Sequence, residues 1–338
     1  MSSGKHRGLD KADMGAKLAV IVVNYQCAPF TINCIRSVVH ELKAISGAHL
    51  WVVDNASGDG SIDQISRAIQ NESWSEWVTL LPADQNRGFG AGNNGAIKPL
   101  LKLNEAPAYY YLLNPDTIVR PDAIKKIIQF MDANTTVGIC GTRLEAVDET
   151  PQCSAFHFHT IIGEFLLGLN WGWAFRVFPQ SALVIPPSDK PHPADWVAGA
   201  SMMVRREVIE NIGLFDEDYF LYFEEVDFCF RAKKKGWLCW YCPESRVVHF
   251  VGQSTQFKYG QEQKARFPKH WFDSRRHFFV KNHGYIYALF ADVAWMNGFF
   301  LRKIKSLVLR SKSGIEPNFF KDFVKNSTLW KSCSCETK

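Results

Sequence analysis

Leu18-Ala-Val-Ile-Val-Val23 is a continuous apolar run of strand length, four of its six residues β-branched, and it stops at Asn24-Tyr25. Such a run is the mark of a strand buried on both faces of a parallel sheet. The pattern outward from it repeats. A helical periodicity follows through Ile32, Ile35, Val38, Val39 and Leu42, and a second strand over residues 50–53 ends at Asp54-Asn55. A helix over residues 62–70, a strand over 78–81, the stretch Asn86-Arg-Gly-Phe-Gly-Ala-Gly-Asn-Asn94 and another helix lead to Tyr109-Tyr-Tyr-Leu-Leu-Asn-Pro-Asp-Thr117. This β-α-β-α-β-α-β alternation predicts a Rossmann-like doubly wound, mostly parallel sheet, with its chemistry at the carboxyl ends of the strands.

Polar residues collect where that rule puts them: Asn24, Asp54 and Asn55, Asn86 to Asn94, and Asn114 to Asp116 each follow a strand. Pro115 lacks a donor and restricts its neighbour, so it ends the fourth strand and sets the angle at which Asp116 leaves it. Asn-Pro-Asp is also ordinary turn chemistry. Gly88, Gly90 and Gly92 would let backbone approach a ligand, with the following helix offering free N–H groups to an anion. A dinucleotide fingerprint would instead follow the first strand, where this chain has Asn24-Tyr25-Gln26.

The second half changes character. Residues 151–193 are rich in aromatics, prolines and glycines without clear periodicity and are expected to form a long, mobile loop with short elements on the acceptor side. Asp195-Trp196 leads into a strand, and a helix ends near Gly213. Glu224-Glu225-Val-Asp227 opens a helix that stops at Lys233-Lys234-Lys235-Gly236, acidic at its start and basic at its end as the helix dipole favours. Asp227 and Arg231 are spaced for a helical ion pair.

With 338 residues, the chain has room for one large domain or two smaller ones. The nine cysteines are scattered through apolar segments as expected of reduced, mostly buried thiols, and the lone Cys239-Trp-Tyr-Cys242 is assigned no metal. No apolar stretch of about 20 residues occurs and the first seventeen residues are polar, which predicts a protein of the cytosolic side without a signal peptide. Of a net charge of +5, residues 301–338 carry nine Lys or Arg against three acids. The body is thus near neutral, which argues against a nucleic-acid-binding face. Residues 286–301 are apolar but broken by Asp292, Asn297 and Gly298, fitting an interfacial helix better than a span. Phe300, Ile304, Leu307 and Val308 can share a helical face while Arg302, Lys303, Lys305 and Arg310 lie on others, a basic amphipathic pattern suited to anionic lipid. A solvated helix packed on the body would give the same pattern.

Val22-Val-Asn-Tyr25, Val53-Asp-Asn-Ala-Ser-Gly-Asp-Gly60, Asn86-Arg-Gly-Phe-Gly90, Asn114-Pro-Asp116, Gly213-Leu-Phe-Asp-Glu217, Tyr222-Phe-Glu-Glu-Val-Asp227 and Val248-His-Phe-Val-Gly-Gln-Ser254 together resemble a family 2 glycosyltransferase of the GT-A fold, rhamnosyltransferase-like branch. The resemblance implies an inverting sugar transfer from a nucleotide-sugar, with dTDP-rhamnose as donor, to a lipid-linked saccharide acceptor in cell-wall or surface-polysaccharide synthesis. The alternatives are a UDP-hexose donor or a non-catalytic sugar-nucleotide-binding homologue; nucleotidyl transfer is disfavoured because no triphosphate loop is present. The resemblance further implies a divalent metal, Mg²⁺ or Mn²⁺, held by Asp116 and by His249, with Asn114 where many relatives have the first Asp of Asp-x-Asp. Glu225 corresponds to the base and Glu224 supports it. Asn24, Asp54, Asn55, Asn86, Gly88, Phe89, Asn93 and Asn94 correspond to the nucleotide pocket, and Asp195 and Trp196 to the sugar and acceptor side. The expected division is a catalytic domain over residues 17–280, its nucleotide half at 17–120 and acceptor half at 121–280, with a helical extension over 281–338 that docks on the cytoplasmic face of the membrane. The oligomeric state is left open.

Overall fold

The computed structural model describes residues 18–251, 266–309 and 318–331. In chain order the elements are β1 (Leu18–Asn24), α1 (Ala28–Leu42), β2 (Ala48–Asp54), α2 (Ser61–Asn71), β3 (Val78–Pro82), α3 (Phe89–Leu100), β4 (Tyr109–Leu113), β5 (Thr117–Val119), α4 (Ala123–Ala133) and β6 (Val137–Glu145). Then come β7 (Ala155–Phe156), α5 (Ile161–Leu169), α6 (Gly172–Val177), β8 (His192–Ala194), β9 (Trp196–Val197), β10 (Ser201–Arg205), α7 (Arg206–Ile212), α8 (Glu224–Lys234), β11 (Leu238–His249), α9 (Lys269–His283), α10 (Tyr285–Val308) and α11 (Phe319–Asn326).

The main sheet runs β3-β2-β1-β4-β10-β6-β11-β5, with β8 added on β11. β1 to β4 are mutually parallel, as the sequence predicts. β10 inserts antiparallel between β4 and β6, β11 runs parallel to β6, and β5 closes the edge antiparallel to β11. The order reverses between β1 and β4, so the crevice opens between the end of β1 at Asn24 and the end of β4 at Asn114. Alternation along β1 divides the core. Leu18, Val20 and Val22 pack with α1, α2 and α4, while Ala19, Ile21 and Val23 face α3, α7, α8 and α9.

Residues 151–193 differ from the expected loop, because they contain α5, which lies against α10. A Cβ on Gly168 would lie 2.2 Å from the Trp295 carbonyl oxygen, and one on Gly298 would lie 2.2 Å from that of Phe165. The two glycines thus let the helix backbones touch, a pairing invisible when either segment is read alone. A buried ionic group fills the same interface. Arg275 Nη2 donates to Glu164 Oε2 at 2.7 Å and Nη1 to Asp292 Oδ1 at 2.5 Å, while His159 Nδ1 lies 2.7 Å from Glu164 Oε1. Burial opposes the Glu164 charge, but Arg275 and His159 outweigh it and hold the carboxyl down at about 2. Asp292, which looks like a flaw in an apolar helix, is therefore an anchor, and its Oδ2 also accepts the Thr328 N–H at 2.6 Å. Residues 280 and 281, where the extension was expected to start, lie inside α9.

All cysteines among the described residues are free thiols, and Cys239 and Cys242 are buried in β11. Cys333, Cys335, Arg310 and Ser254 lie outside the described residues.

Candidate active site

The Asn114-Pro115-Asp116 turn is pinned at both ends. The Asn114 N–H donates to the Ala200 carbonyl at 3.0 Å, Thr117 Oγ1 donates to the Asn114 carbonyl at 2.7 Å, and the Phe250 N–H donates to the Asp116 carbonyl at 3.0 Å. β5 starts immediately after the turn and pairs Thr117 with His249. That register sets two side chains face to face: His249 Nε2 lies 3.6 Å from Asp116 Oδ1, and both residues are largely shielded from solvent. Gln152 Nε2 donates to the His249 carbonyl at 3.0 Å and holds that strand end from the other side. A carboxylate oxygen and an imidazole nitrogen at this separation match two adjacent ligands of an ion with bonds of about 2.1 Å, so the donor set fits a divalent metal.

Ala200 links this turn to the acidic helix. Its neighbour Gly199 lies against the Phe89 ring and the Glu225 side chain, where a Cβ would stand 3.3 Å and 3.8 Å from them. Glu225 is thereby delivered beside the end of β4, although 111 residues separate it from Asn114 in sequence. Glu224 is buried and partly exposed Glu225 follows it on the first turn of α8; neither Oε2 has a hydrogen-bond partner among the described residues. Burial, and then the neighbouring Glu225, push the Glu224 carboxyl well above the usual carboxylate range. Burial raises Glu225 to about 7 despite its place at a helix N-terminus. A carboxylate of that basicity is suited to taking a proton from a hydroxyl near neutral pH.

The turn that presents these acids is strained. Tyr222 and Phe223 are both left-handed, with φ of 69° and 68°, a conformation rare for bulky residues and held only where the surroundings over-determine it. The surroundings come from α9. Ser274 Oγ donates to the Leu221 carbonyl at 3.0 Å, the His270 ring stacks on Tyr222 with centroids 5.6 Å apart, and Trp271 and Phe278 pack on Phe223. Lys281 Nζ reaches Asp216 at 2.7 Å and Asp227 at 2.9 Å, and Asn282 Nδ2 donates to Asp227 at 2.8 Å. Asp227 also carries the expected ion pair with Arg231, at 2.8 Å. Nothing in the sequence marks the left-handed pair or the grip of α9 on it; no spacing rule connects Ser274 or Lys281 to residues fifty positions away.

The glycine-rich stretch packs closely against the chain itself. At Gly88, whose φ is +91°, a Cβ would lie 1.7 Å from the Phe220 carbonyl oxygen. The Phe89 N–H donates to that same oxygen at 3.2 Å and the Gly88 N–H to Asn86 Oδ1 at 2.9 Å, so two donors that the sequence assigned to an anion are already satisfied. Gly92 admits Val23, and Gly90 admits Phe215. Asn94 mimics a strand neighbour for Phe215, accepting from its N–H at 3.1 Å and donating to its carbonyl at 2.9 Å. Asn93 Nδ2 donates to the Phe89 carbonyl at 3.0 Å.

Asn24, Asp54 and Asn55 do gather at the crevice, but as a fully buried knot. Asn24 Nδ2 donates to Asp54 Oδ1 at 2.6 Å, Ser57 N–H to Asp54 Oδ2 at 3.0 Å, and Asn55 Nδ2 to Asn86 Oδ1 at 2.9 Å. These side chains shape the loops around the pocket. Asp195 and Trp196 are not brought to this edge. Asp195 accepts from Lys233 Nζ at 2.6 Å near the far end of α8, and Trp196 stacks on Phe156 and donates to the His157 carbonyl. Asp216, Asp218 and His277 also form a cluster with metal-ligand atoms. There, however, hydrogen bonds from His277 and Lys281, against the effect of burial, hold the Asp216 carboxyl below the usual range.

A sheet that reverses order at β1 and β4, with a carboxylate at the end of β4 and an acidic helix start across from it, defines a GT-A glycosyltransferase architecture. Residues 12–267 match the family described as Glycosyltransferase like family 2, and the chain belongs to that family. It is similar to the N-acetylglucosaminyl-diphospho-decaprenol L-rhamnosyltransferase of Mycobacterium tuberculosis (strain CDC 1551 / Oshkosh), 27% identical over 252 residues that cover 70% of this chain and 77% of that one. It is also similar to rhamnosyltransferase WbbL of Escherichia coli K12, 30% identical over 48% of this chain and 61% of the relative. Among solved structures, the mannosyltransferase PcManGT of Pyrobaculum calidifontis, in complex with GDP-Man and Mn²⁺, superposes with a TM-score of 0.59 over 93% of this chain and 87% of that one, at 15% identity. That likeness is one of fold.

Proposed function

We propose that this glycosyltransferase moves a sugar, L-rhamnose from dTDP-rhamnose, with inversion onto a hydroxyl of a saccharide carried on a lipid diphosphate, in the synthesis of a cell-wall or surface polysaccharide. The observation that supports the reading is Glu225, its basicity raised by burial, against Gly199 near the end of β4, whose turn carries Asp116 facing His249 of β11. An inverting transfer needs a base on the face of the sugar opposite the leaving group. Glu225 takes the acceptor proton on its carboxylate as the oxygen attacks the anomeric carbon. Glu224, uncharged, keeps a second negative charge away from that carboxylate. Mg²⁺ or Mn²⁺ held by Asp116 and His249 would neutralise charge on the departing diphosphate. Asn114 contributes no charge there, so the site depends on its two remaining ligands.

The printed activities of the relatives support the rhamnosyl donor and the lipid-linked acceptor. No described helix is long and apolar enough to cross a membrane, which agrees with an enzyme that meets such an acceptor from the cytoplasmic surface. The purified protein, given dTDP-rhamnose or UDP-hexoses with a polyprenyl-diphosphate saccharide and either metal, should transfer only rhamnose and should stop when the metal is chelated. Transfer from a UDP-hexose in preference would replace the donor, and no transfer from any donor would sink the reading.

A further inference from the structure

α10 presents an apolar face to nothing else in the described structure. Ile286, Phe290, Val293, Phe300, Ile304 and Leu307 recur at steps of four and three residues, with Asn297 standing in the one step of seven between Val293 and Phe300, which places them on one line along a helix of 24 residues, about 36 Å. They are exposed, Ile286 by 69%, Phe300 by 64% and Leu307 by 78%. Leu301 and Val308 widen the stripe on one side. The opposite face, with Ala291, Asp292, Trp295, Gly298 and Phe299, is the one buried against α5, α9 and α11. So the helix is firmly docked and its outer stripe is not a core face awaiting a fold.

Charge says what the stripe faces. Taking about 100° per residue, Lys303 and Lys305 stand on either side of it, each about 100° from its centre, the position from which a lysine stem covers apolar surface while its ammonium reaches polar headgroups. Asp292, the acid of this helix, points inward to Arg275. Lys305 Nζ lies 4.5 Å from the Trp171 ring, which sets α6, with exposed Trp173 and Val177, beside the last turns of α10. The four-three spacing would also suit a seam between two copies. A second copy, though, would bring Lys303 and Lys305 near their equivalents with no acid on the exposed face to offset them, and would bury Asn297 between Phe290 and Phe300. An anionic bilayer answers both the stripe and its flanking charges.

We propose that α10, along its whole length and joined by α6, is the face on which this protein lies in the plane of an anionic lipid surface. The proposal extends the lipid-linked acceptor reading by naming where the membrane is met, and it can be tested without any sugar. The full chain is sedimented with vesicles of phosphatidylcholine alone or of equal parts phosphatidylcholine and phosphatidylglycerol, with no nucleotide-sugar or acceptor present. Wild type should pellet with the anionic vesicles and release at high salt. The exposed double variant Ile304→Glu/Leu307→Glu should lose at least tenfold in vesicle affinity with an unchanged melting temperature, and Lys303→Glu should weaken binding several-fold. Equal binding by wild type and the double variant overturns the proposal. So does a wild-type dimer that the same variant dissociates while neither binds vesicles, since the face would then belong to a second copy. Failure here leaves the transfer assay untouched, and failure of that assay leaves vesicle binding to be read by itself.

Discussion

The carbonyl oxygen of Phe220 occupies the space that a side chain at Gly88 would need. One atom therefore closes the turn before α3, accepts the Phe89 N–H and fixes the start of the segment that leads to Glu224. Gly88→Ala should cost more than the roughly 1–2 kcal/mol of a left-handed alanine, because backbone must also move. Gly58→Ala, at φ +67° with open space around it, should cost only that amount. Chemical denaturation of both variants measures the difference; equal losses would deny the contact its role.

Glu225→Gln removes the proposed base without changing shape. Turnover should fall about 10²- to 10⁴-fold while nucleotide-sugar binding by calorimetry stays within a factor of about two to three, the variation expected of context alone. In wild type the group acts only when deprotonated, so the rate should rise with pH through about 7. A rate independent of pH between 6 and 8 would remove Glu225 from the step.

Glu224 offers a stability readout. Its folded-state pKa is raised, so the folded protein holds a proton that the unfolded chain gives up near the ordinary value. Stability is then greatest below that value and declines as pH rises above it. Glu224→Gln, which carries no charge at any pH, should raise the melting temperature at pH 8 and leave it nearly unchanged at pH 4. A melting temperature unaffected at pH 8 would show the carboxylate to be well solvated.

Asp116→Ala and His249→Ala should each weaken Mn²⁺ binding at least tenfold, read by calorimetry in the presence of a nucleoside diphosphate, as expected when one of few ligands is lost. Full retention of metal affinity in both would place the ion elsewhere.

Arg275→Met leaves Glu164 and Asp292 buried without their cation and should cost about 3–5 kcal/mol. A variant that also replaces both acids, Glu164→Gln and Asp292→Asn, should recover part of that loss. No recovery would mean that packing, not charge, dominates the site.

The parallel half of the fold was legible because β1, β2 and β4 are buried on both faces and so carry unbroken apolar runs. The meeting of Asp116 with His249 and of Glu225 with the end of β4 was legible only through the family resemblance, since both depend on β10, β5 and β11 pairing over long separations. The glycines show a limit of sequence reading. Gly88 and Gly92 do mark close backbone approach, but sequence cannot say whether a ligand or another stretch of the same chain does the approaching. The partners of Asp195 and Trp196 were likewise not legible: the pair meets Lys233 and Phe156, which lie on other elements. Asp292 read as a break in an apolar helix because its partner, Arg275, lies on another element.

The match to the family model ends at residue 267, and α9 begins at Lys269. The helix whose Ser274, Lys281 and Asn282 hold the strained turn before Glu224 therefore lies wholly outside it. The stretch that the family match covers and the stretch that braces the acidic turn therefore do not coincide: contacts from α9, beyond the match, hold the left-handed pair just before Glu224 and Glu225. A substitution in α9 can thus disturb how Glu224 and Glu225 are presented without touching any residue of the matched segment.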